Sequence, residues 1–132
     1  GDRALFARET ARVERIAMEA VMQRERELGY QPRDVSAGKC GYDIESRIPQ
    51  SGKLRFIEVK GRVQGATTVT VTRNEILTAL NKPDDFMLAI VLVEGEQTDM
   101  HYITRPFHAE PDFGATSVNY EIGRWLEQGR KG

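Results

Sequence analysis

The sequence predicts an α/β or α+β fold in which a mixed sheet lies between helices. One long segment has the 3/4 spacing of an amphipathic helix, and two of the shorter apolar runs are apolar on both strand faces. Such strands need cover on both sides, which helices with a single apolar stripe provide. The 132 residues, of which 39% are hydrophobic and 30% charged, fit one globular domain with its own core.

The first element is a helix over about residues 3–28. Its apolar stripe consists of Val13, Ile16, Ala17, Ala20, Val21 and Leu28, and Gly29 ends it. The chain begins almost inside this helix, so we expect a fragment of a larger multidomain protein rather than a self-contained one.

A hairpin follows, with strands at Tyr42–Arg47 and Leu54–Arg62 around the turn-prone Pro49–Gly52. The second strand is apolar on both faces, which predicts a central position. The remaining elements are a strand at Thr68–Thr72, a helix ending near Asn81, a buried strand at Phe86–Val93, a partner at His101–Thr104 and a short helix near Glu121–Gln128. Thr72 and Glu75 have the spacing of a capping box that starts the second helix. Trp125 and Tyr120 are expected to pack in the core beside the last helix.

The central strand carries an acid and a base on one face. Glu58 and Lys60 are two residues apart, so their side chains project to the same side. If the hairpin is symmetric about its turn, paired residue numbers sum to 101, which places Asp43 opposite Glu58. Two carboxylates that close repel each other unless one is protonated or a cation lies between them.

Carboxylate and carbonyl oxygens are the ligands that Mg²⁺ takes, together with water and phosphate oxygens. Asp43, Glu58 and the Val59 carbonyl are therefore the predicted metal ligands, with Mn²⁺ as a substitute ion. Lys60 would orient or activate a water and offset phosphate charge. Burial lowers a lysine pKa and carboxylates raise it, so the sequence leaves the protonation state of Lys60 open.

Charge is distributed unevenly along the chain. Residues 39–82 carry eight basic and four acidic groups, although the whole chain has a net charge of −1. This predicts positive potential around the site. The candidate nucleic-acid contacts are Arg47, Lys53, Arg62, Arg73 and Asn74.

These residues resemble a known family. Asp43 followed by Glu58-Val59-Lys60, after an acidic helix, resembles the PD-(D/E)XK nuclease superfamily, although Tyr42 stands in place of the proline. A narrower resemblance, over roughly residues 12–104, is to the domain named for the C-terminal region of the plant protein NO VEIN. Three segments carry it: Gly41–Ile44, Arg55–Arg62 and Thr72–Glu75.

The resemblance implies a restriction endonuclease-like core, α-β-β-β-α-β, and a Mg²⁺-dependent endonuclease acting on DNA. Asp43, Glu58 and Lys60 would be its catalytic triad. A glutamate of the first helix would join them; Glu14 is preferred to Glu19 because it lies nearer the apolar stripe. The expected partners are DNA and helicase-like or ATPase domains of a restriction or phage-defence protein.

Two alternatives remain at this stage. One is a nuclease-fold module that binds nucleic acid or a protein without cutting, and the other is an interaction domain whose charges are only surface pairs. We expect a cytoplasmic protein without a membrane segment, since no apolar run is long enough to span. The sequence does not decide between DNA and RNA, between single and double strands, or between monomer and homodimer.

Overall fold

The computed structural model describes the backbone of residues 1–131 and the side chains of residues 1–128. In chain order its helices and strands are α1 (Asp2–Glu27), β1 (Gln31–Asp34), β2 (Ile44–Ile48), β3 (Lys53–Val63), β4 (Thr68–Thr72), α2 (Arg73–Asn81), β5 (Phe86–Glu94), β6 (Gln97–Thr104), β7 (Ser117–Glu121) and α3 (Gly123–Lys131). The predicted mixed α+β architecture with flanking helices is confirmed.

Five strands form the main sheet in the order β1-β2-β3-β5-β6. β3 is central and pairs antiparallel with β2 and parallel with β5, while β1 and β6 form the edges. The parallel connection from β3 to β5 runs through β4 and α2. β4 leaves the main sheet and pairs with β7 in a separate two-stranded ribbon.

The sheet has an apolar core on each face. α1 covers one face through Val13, Ala17 and Val21, which pack on the odd-numbered residues of β5. The other face is covered by α2, the β4–β7 ribbon and α3, and its core includes Ile76 and Trp125. Both faces of β3 are therefore covered, as its sequence predicts.

Glu25 replaces an apolar residue where the predicted stripe of α1 would continue, and Leu28 is exposed instead. The Glu25 carboxylate is fully buried and accepts hydrogen bonds from Arg55 Nε at 2.8 Å and from the Tyr102 hydroxyl at 2.9 Å. A buried carboxylate needs partners of this kind, because an unpaired one is strongly destabilising. This network anchors the end of α1 to β3 and β6.

Two strands are absent from the sequence prediction. β1 is short, polar and contains Pro32, and an edge strand can have such a sequence because one side of it needs no hydrogen-bond partners. β7 alternates polar residues with Val118 and Tyr120, and its sequence alone does not distinguish it from a loop. It forms a strand because β4 leaves the main sheet and pairs with it. Tyr120 and Trp125 stack on each other and on Phe107, so the prediction of core packing is confirmed. No helix in the described part of the chain is long and apolar enough to cross a membrane.

Candidate active site

The acid and the base of β3 lie on the face that α2 covers. Glu58 and Lys60 alternate with Val59, which faces α1, and Glu58 is only 4% exposed. The prediction that apolar neighbours bury this pair is confirmed for Glu58, and the Lys60 side chain is partly buried, at 19% exposure. A surface ion pair, the simplest explanation of a Glu-x-Lys pattern, does not describe these two residues.

The hairpin register places Asp43 beside Glu58. β2 and β3 pair with residue numbers that sum to 101, from Ile44 with Ile57 to Ile48 with Lys53. β2 begins one residue after Asp43, so β3 beyond Ile57 has no strand on this side. The Asp43 carboxylate fills the gap and accepts a hydrogen bond from the Val59 N–H at 2.8 Å.

The same arrangement exposes a backbone acceptor. The N–H and C=O of one strand residue point to the same side of the strand. Because the Val59 N–H points to Asp43, the Val59 carbonyl also faces the open end of the hairpin. Asp43 and the Val59 carbonyl thus lie at the open end of the hairpin, next to Glu58.

Lys60 lies between two glutamates. Its Nζ is 3.3 Å from Glu58 Oε2 and 2.9 Å from Glu75 Oε1. Glu75 belongs to the first turn of α2, where its carboxylate also accepts the Thr72 N–H at 2.9 Å while Thr72 Oγ1 accepts the Glu75 N–H. The predicted capping box is therefore present, and it brings a third carboxylate to the site.

Glu75 is the functional residue that sequence reasoning missed. Its pattern with Thr72 is fully explained by helix capping. Only the crossover from β3 through β4, which puts the start of α2 above Lys60, gives the carboxylate its second partner. No local signal could have identified it.

Burial and neighbouring charges shift the pKa of each member of this cluster, which consists of Asp43, Glu58, Lys60 and Glu75. Burial raises the pKa of Asp43, and burial together with the Asp43 charge raises the pKa of Glu58 to about 10. Burial opposes a charged Lys60, but Glu58 and Glu75 outweigh it and raise the lysine pKa. Burial acts against ionised Glu75 too, yet the Thr72 N–H and Lys60 lower its pKa. Near neutral pH the cluster therefore holds a protonated Glu58 and a charged Lys60.

The segment that carries Asp43 is docked on α2. The Asn74 side-chain amide donates to the Lys39 carbonyl at 3.3 Å, and Gly41 packs against Thr78. A Cβ on Gly41 would lie 2.2 Å from Thr78 Oγ1, and the φ of Gly41 is +95°. Only glycine fits both constraints. Asn74, predicted as a nucleic-acid contact, thus also fixes the position of the Asp43 segment.

The cluster opens into a cleft of about 760 Å³ between α1 and the open end of the hairpin. Glu14 lines this cleft from α1, as predicted, and Glu19 lines it too. The lining includes five acidic and three basic side chains: Glu14, Glu19, Asp34, Asp43 and Glu58, and Arg15, Lys60 and Arg62. The immediate lining has no excess of basic side chains, because several basic residues of segment 39–82 lie elsewhere, and positive potential around the site remains a prediction.

The predicted nucleic-acid contacts fall into two groups. Arg62 lines the cleft and donates to the Thr68 carbonyl, and Arg73 begins α2 beside Glu75. Arg47 and Lys53 lie at the turn end of the hairpin instead. Glu58 lies five residues beyond Lys53 along β3, a distance of about 17 Å. Nucleic-acid binding by these two residues remains a prediction, and it concerns a surface outside the cleft.

The donor set fits a hard divalent cation. Asp43 is partly buried beside the buried Glu58, the pKa values of both are raised, and a cation between them would allow both to ionise. Among the described residues, no group of three or more His, Cys, Asp and Glu side chains is arranged around a common metal position. Two carboxylates and one carbonyl match Mg²⁺, which keeps several waters or phosphate oxygens, better than an ion that requires a full protein cage.

The chain is thus a mixed α+β domain with a buried cluster of carboxylates and one lysine at the open end of its central hairpin. A family model described as Protein NO VEIN, C-terminal, matches residues 13–103. The match covers more than half of the chain, and the protein belongs to this family. A search of curated proteins gives no match.

Proposed function

We propose that this domain is a metal-dependent nuclease of the PD-(D/E)XK type that hydrolyses DNA phosphodiester bonds. One observation carries the proposal: the partly buried Asp43 and Lys60 meet the buried Glu58 in a cluster at the wall of an open cleft. Burying like charges is costly, so such a cluster needs a function that offsets the cost. With β4 set apart in its ribbon, the main-sheet order α1-β1-β2-β3-α2-β5 agrees with the restriction endonuclease-like core.

Each residue has a role in this proposal. Asp43, Glu58 and the Val59 carbonyl would hold Mg²⁺ or Mn²⁺, which neutralises phosphate charge and acidifies a water when it is bound. Lys60 orients the attacking water and stabilises negative charge on the phosphate. Glu14 adds a carboxylate from the opposite wall of the cleft.

Arg62 and Arg73 flank the cluster and would bind phosphates on either side of the reacting one. The domain would act in the cytoplasm as a module of a helicase-like, restriction or phage-defence protein, delivered to DNA by its partner domains. Such delivery compensates for a net charge of −1, which by itself favours little DNA binding.

Cleavage of supercoiled plasmid tests the proposal. With Mg²⁺ or Mn²⁺ the domain should nick or linearise the plasmid, and EDTA should abolish the activity. Asp43→Ala and Lys60→Ala should each reduce cleavage by at least about 100-fold, the range expected for loss of a general acid–base or electrostatic group. Glu96→Gln, in the exposed β5–β6 turn, is the matched control. Cleavage that survives Lys60→Ala would rule the assignment out.

A second function, binding nucleic acid without cutting it, has one observation in its favour. Both nearby glutamates, Glu58 and Glu75, already pair with Lys60, so the cluster is internally satisfied without a substrate. In that case the domain would bind DNA in a salt-sensitive manner, and Lys60→Ala would change binding but no cleavage would be seen with either metal.

A further inference from the structure

A fully exposed phenylalanine lies on a turn that is attached to the start of α2. Phe113 is 101% exposed, more than any other large apolar side chain that is exposed in the described part of the chain. Single exposed apolar residues are common and need no explanation by themselves. Phe113 differs because its turn is fixed by hydrogen bonds and is attached to Arg73.

Phe113 is presented by a tight and well-anchored turn. The Ala115 N–H donates to the Asp112 carbonyl at 3.0 Å, and Gly114 has a φ of +89°, so Phe113 occupies the first central position of a type II-like turn. The hydrogen-bonded backbone of this turn therefore directs the ring outward.

The turn is attached to the start of α2. The Arg73 N–H donates to the Thr116 carbonyl at 2.9 Å, and Arg73 NH1 donates to the Asp112 carbonyl at 3.3 Å. Two residues further along α2, Glu75 holds Lys60. One side-chain contact and two helix positions therefore link the Phe113 turn to the cluster.

An aromatic ring next to a guanidinium is the combination that binds unpaired nucleotides. Bases stack on the ring while the guanidinium takes the phosphate. In a duplex the faces of the bases are already covered by their neighbours, so the ring has no base to stack on unless the stack opens.

We propose that Phe113 and Arg73 form a stacking platform for an unpaired base, and that the cleft acts on nucleic acid that is single-stranded beside the scissile phosphate. This inference rests on the proposed nuclease function and specifies the substrate of the same site. A protein partner docking on Phe113 is the outcome that would replace it.

Binding to labelled oligonucleotides tests the platform. Fluorescence anisotropy in Mg²⁺ would compare single-stranded DNA, single-stranded RNA and a blunt DNA duplex of the same sequence, all in the Lys60→Ala background to prevent cleavage. Phe113→Ala should weaken single-strand binding about 5- to 100-fold, which corresponds to the loss of one stacked base. Phe113→Trp should bind within about twofold of the parent, because it keeps a stacking face. Duplex affinity should not change.

The controls separate stacking from general apolar contact. Phe113→Leu keeps an apolar side chain but should lose most of the single-strand affinity. Leu28→Ala removes an exposed apolar residue at the end of α1 and should have no effect. A Phe113-dependent loss on DNA or on RNA supports the platform and identifies the sugar that it accepts.

Two outcomes would overturn the inference: single-strand binding unaffected by Phe113→Ala, or equal losses on single strands and duplex. Failure of the nuclease proposal gives a different result, namely a wild-type domain that cuts no substrate with Mg²⁺ or Mn²⁺ whatever residue stands at position 113. The binding comparison remains interpretable in that case.

Discussion

Glu58 is the residue whose chemistry depends most on its surroundings. It is buried and lies beside Asp43, and these two factors raise its pKa to about 10. Glu58 therefore carries a proton near neutral pH when no metal is bound. Lys60 keeps its charge because Glu75 and Glu58 both face it. The proton on Glu58 therefore offsets the negative charge of the neighbouring carboxylates, and a bound cation would displace this proton.

This proton makes stability depend on pH. The folded protein binds a proton at Glu58 that the unfolded chain, with a glutamate pKa near 4.5, releases. The unfolding free energy should then fall as pH rises from about 5 towards about 10. Glu58→Gln mimics the protonated form, so in EDTA it should be more stable than wild type at pH 9, by on the order of a few kcal/mol. Urea denaturation at several pH values measures this.

The difference between the two proteins should close as the pH approaches 5. Glu96→Gln removes a carboxyl group in an exposed turn and should leave the pH dependence unchanged. Parallel stability curves for wild type and Glu58→Gln would show that Glu58 has an ordinary pKa.

Glu75 is expected to position Lys60 for the reaction. Gln at this position can still complete the capping box, but it removes one of the two carboxylates that hold the ammonium. Glu75→Gln should therefore lower kcat about 10- to 100-fold with little change in KM, and shift the alkaline limb of the pH–rate profile to lower pH. Steady-state cleavage between pH 6 and 10 provides the measurement.

Thr72→Ala supplies the comparison for Glu75. It should cost about 1 kcal/mol of stability through the lost cap while leaving the Lys60–Glu75 contact in place. Equal kinetic effects of Thr72→Ala and Glu75→Gln would mean that Glu75 acts only by capping α2.

At the scale of elements, the hairpin was predictable and the edges were not. The turn at Pro49–Gly52 fixed the β2–β3 register, because turn type and loop length decide which residues pair in a hairpin. β1 and β7 lack that apolar signal. Glu25 could not be identified either, since its partners Arg55 and Tyr102 come from strands far along the chain. Local sequence patterns predicted Asp43, Glu58 and Lys60, whereas Glu75 joins them only through a tertiary contact with Lys60.

Gly61 shows how the helix and strand constrain each other. The structure gives this glycine a packing function on the face of β3 opposite to Glu58 and Lys60. A Cβ there would lie 2.7 Å from the Ala17 Cβ and 3.1 Å from the Val13 carbonyl oxygen. Gly61→Ala should destabilise the domain by about 1–3 kcal/mol, as overpacking does, and lower its Tm.

Ala17→Gly should partly rescue Gly61→Ala, because it removes the closer of the two contacts. A double-mutant cycle of unfolding free energies should then give a favourable coupling of about 0.5 kcal/mol or more. Additive effects would show that α1 and β3 are not in tight contact at this point.

Across the whole molecule, charge is divided between an acidic cleft and basic residues at a distance. The cleft lining suits a cation, and so it attracts the DNA backbone only weakly by itself. Arg47 and Lys53, at the turn end of the hairpin, can contact backbone that runs beyond the cleft. The protein would then separate the contacts that hold DNA from the groups that cut it.

Arg47→Ala combined with Lys53→Ala tests this division. Each lost phosphate contact should reduce the slope of log K against log salt by about 0.9, so the double variant should lose up to about 1.8. Binding should weaken on long duplexes whatever their sequence, while cleavage of an oligonucleotide too short to reach the turn stays at the wild-type rate. Arg124→Ala, on α3 beside the opposite half of the sheet, should change neither quantity. An unchanged salt slope would exclude the hairpin turn from the DNA path and leave Arg62 and Arg73 as the backbone contacts.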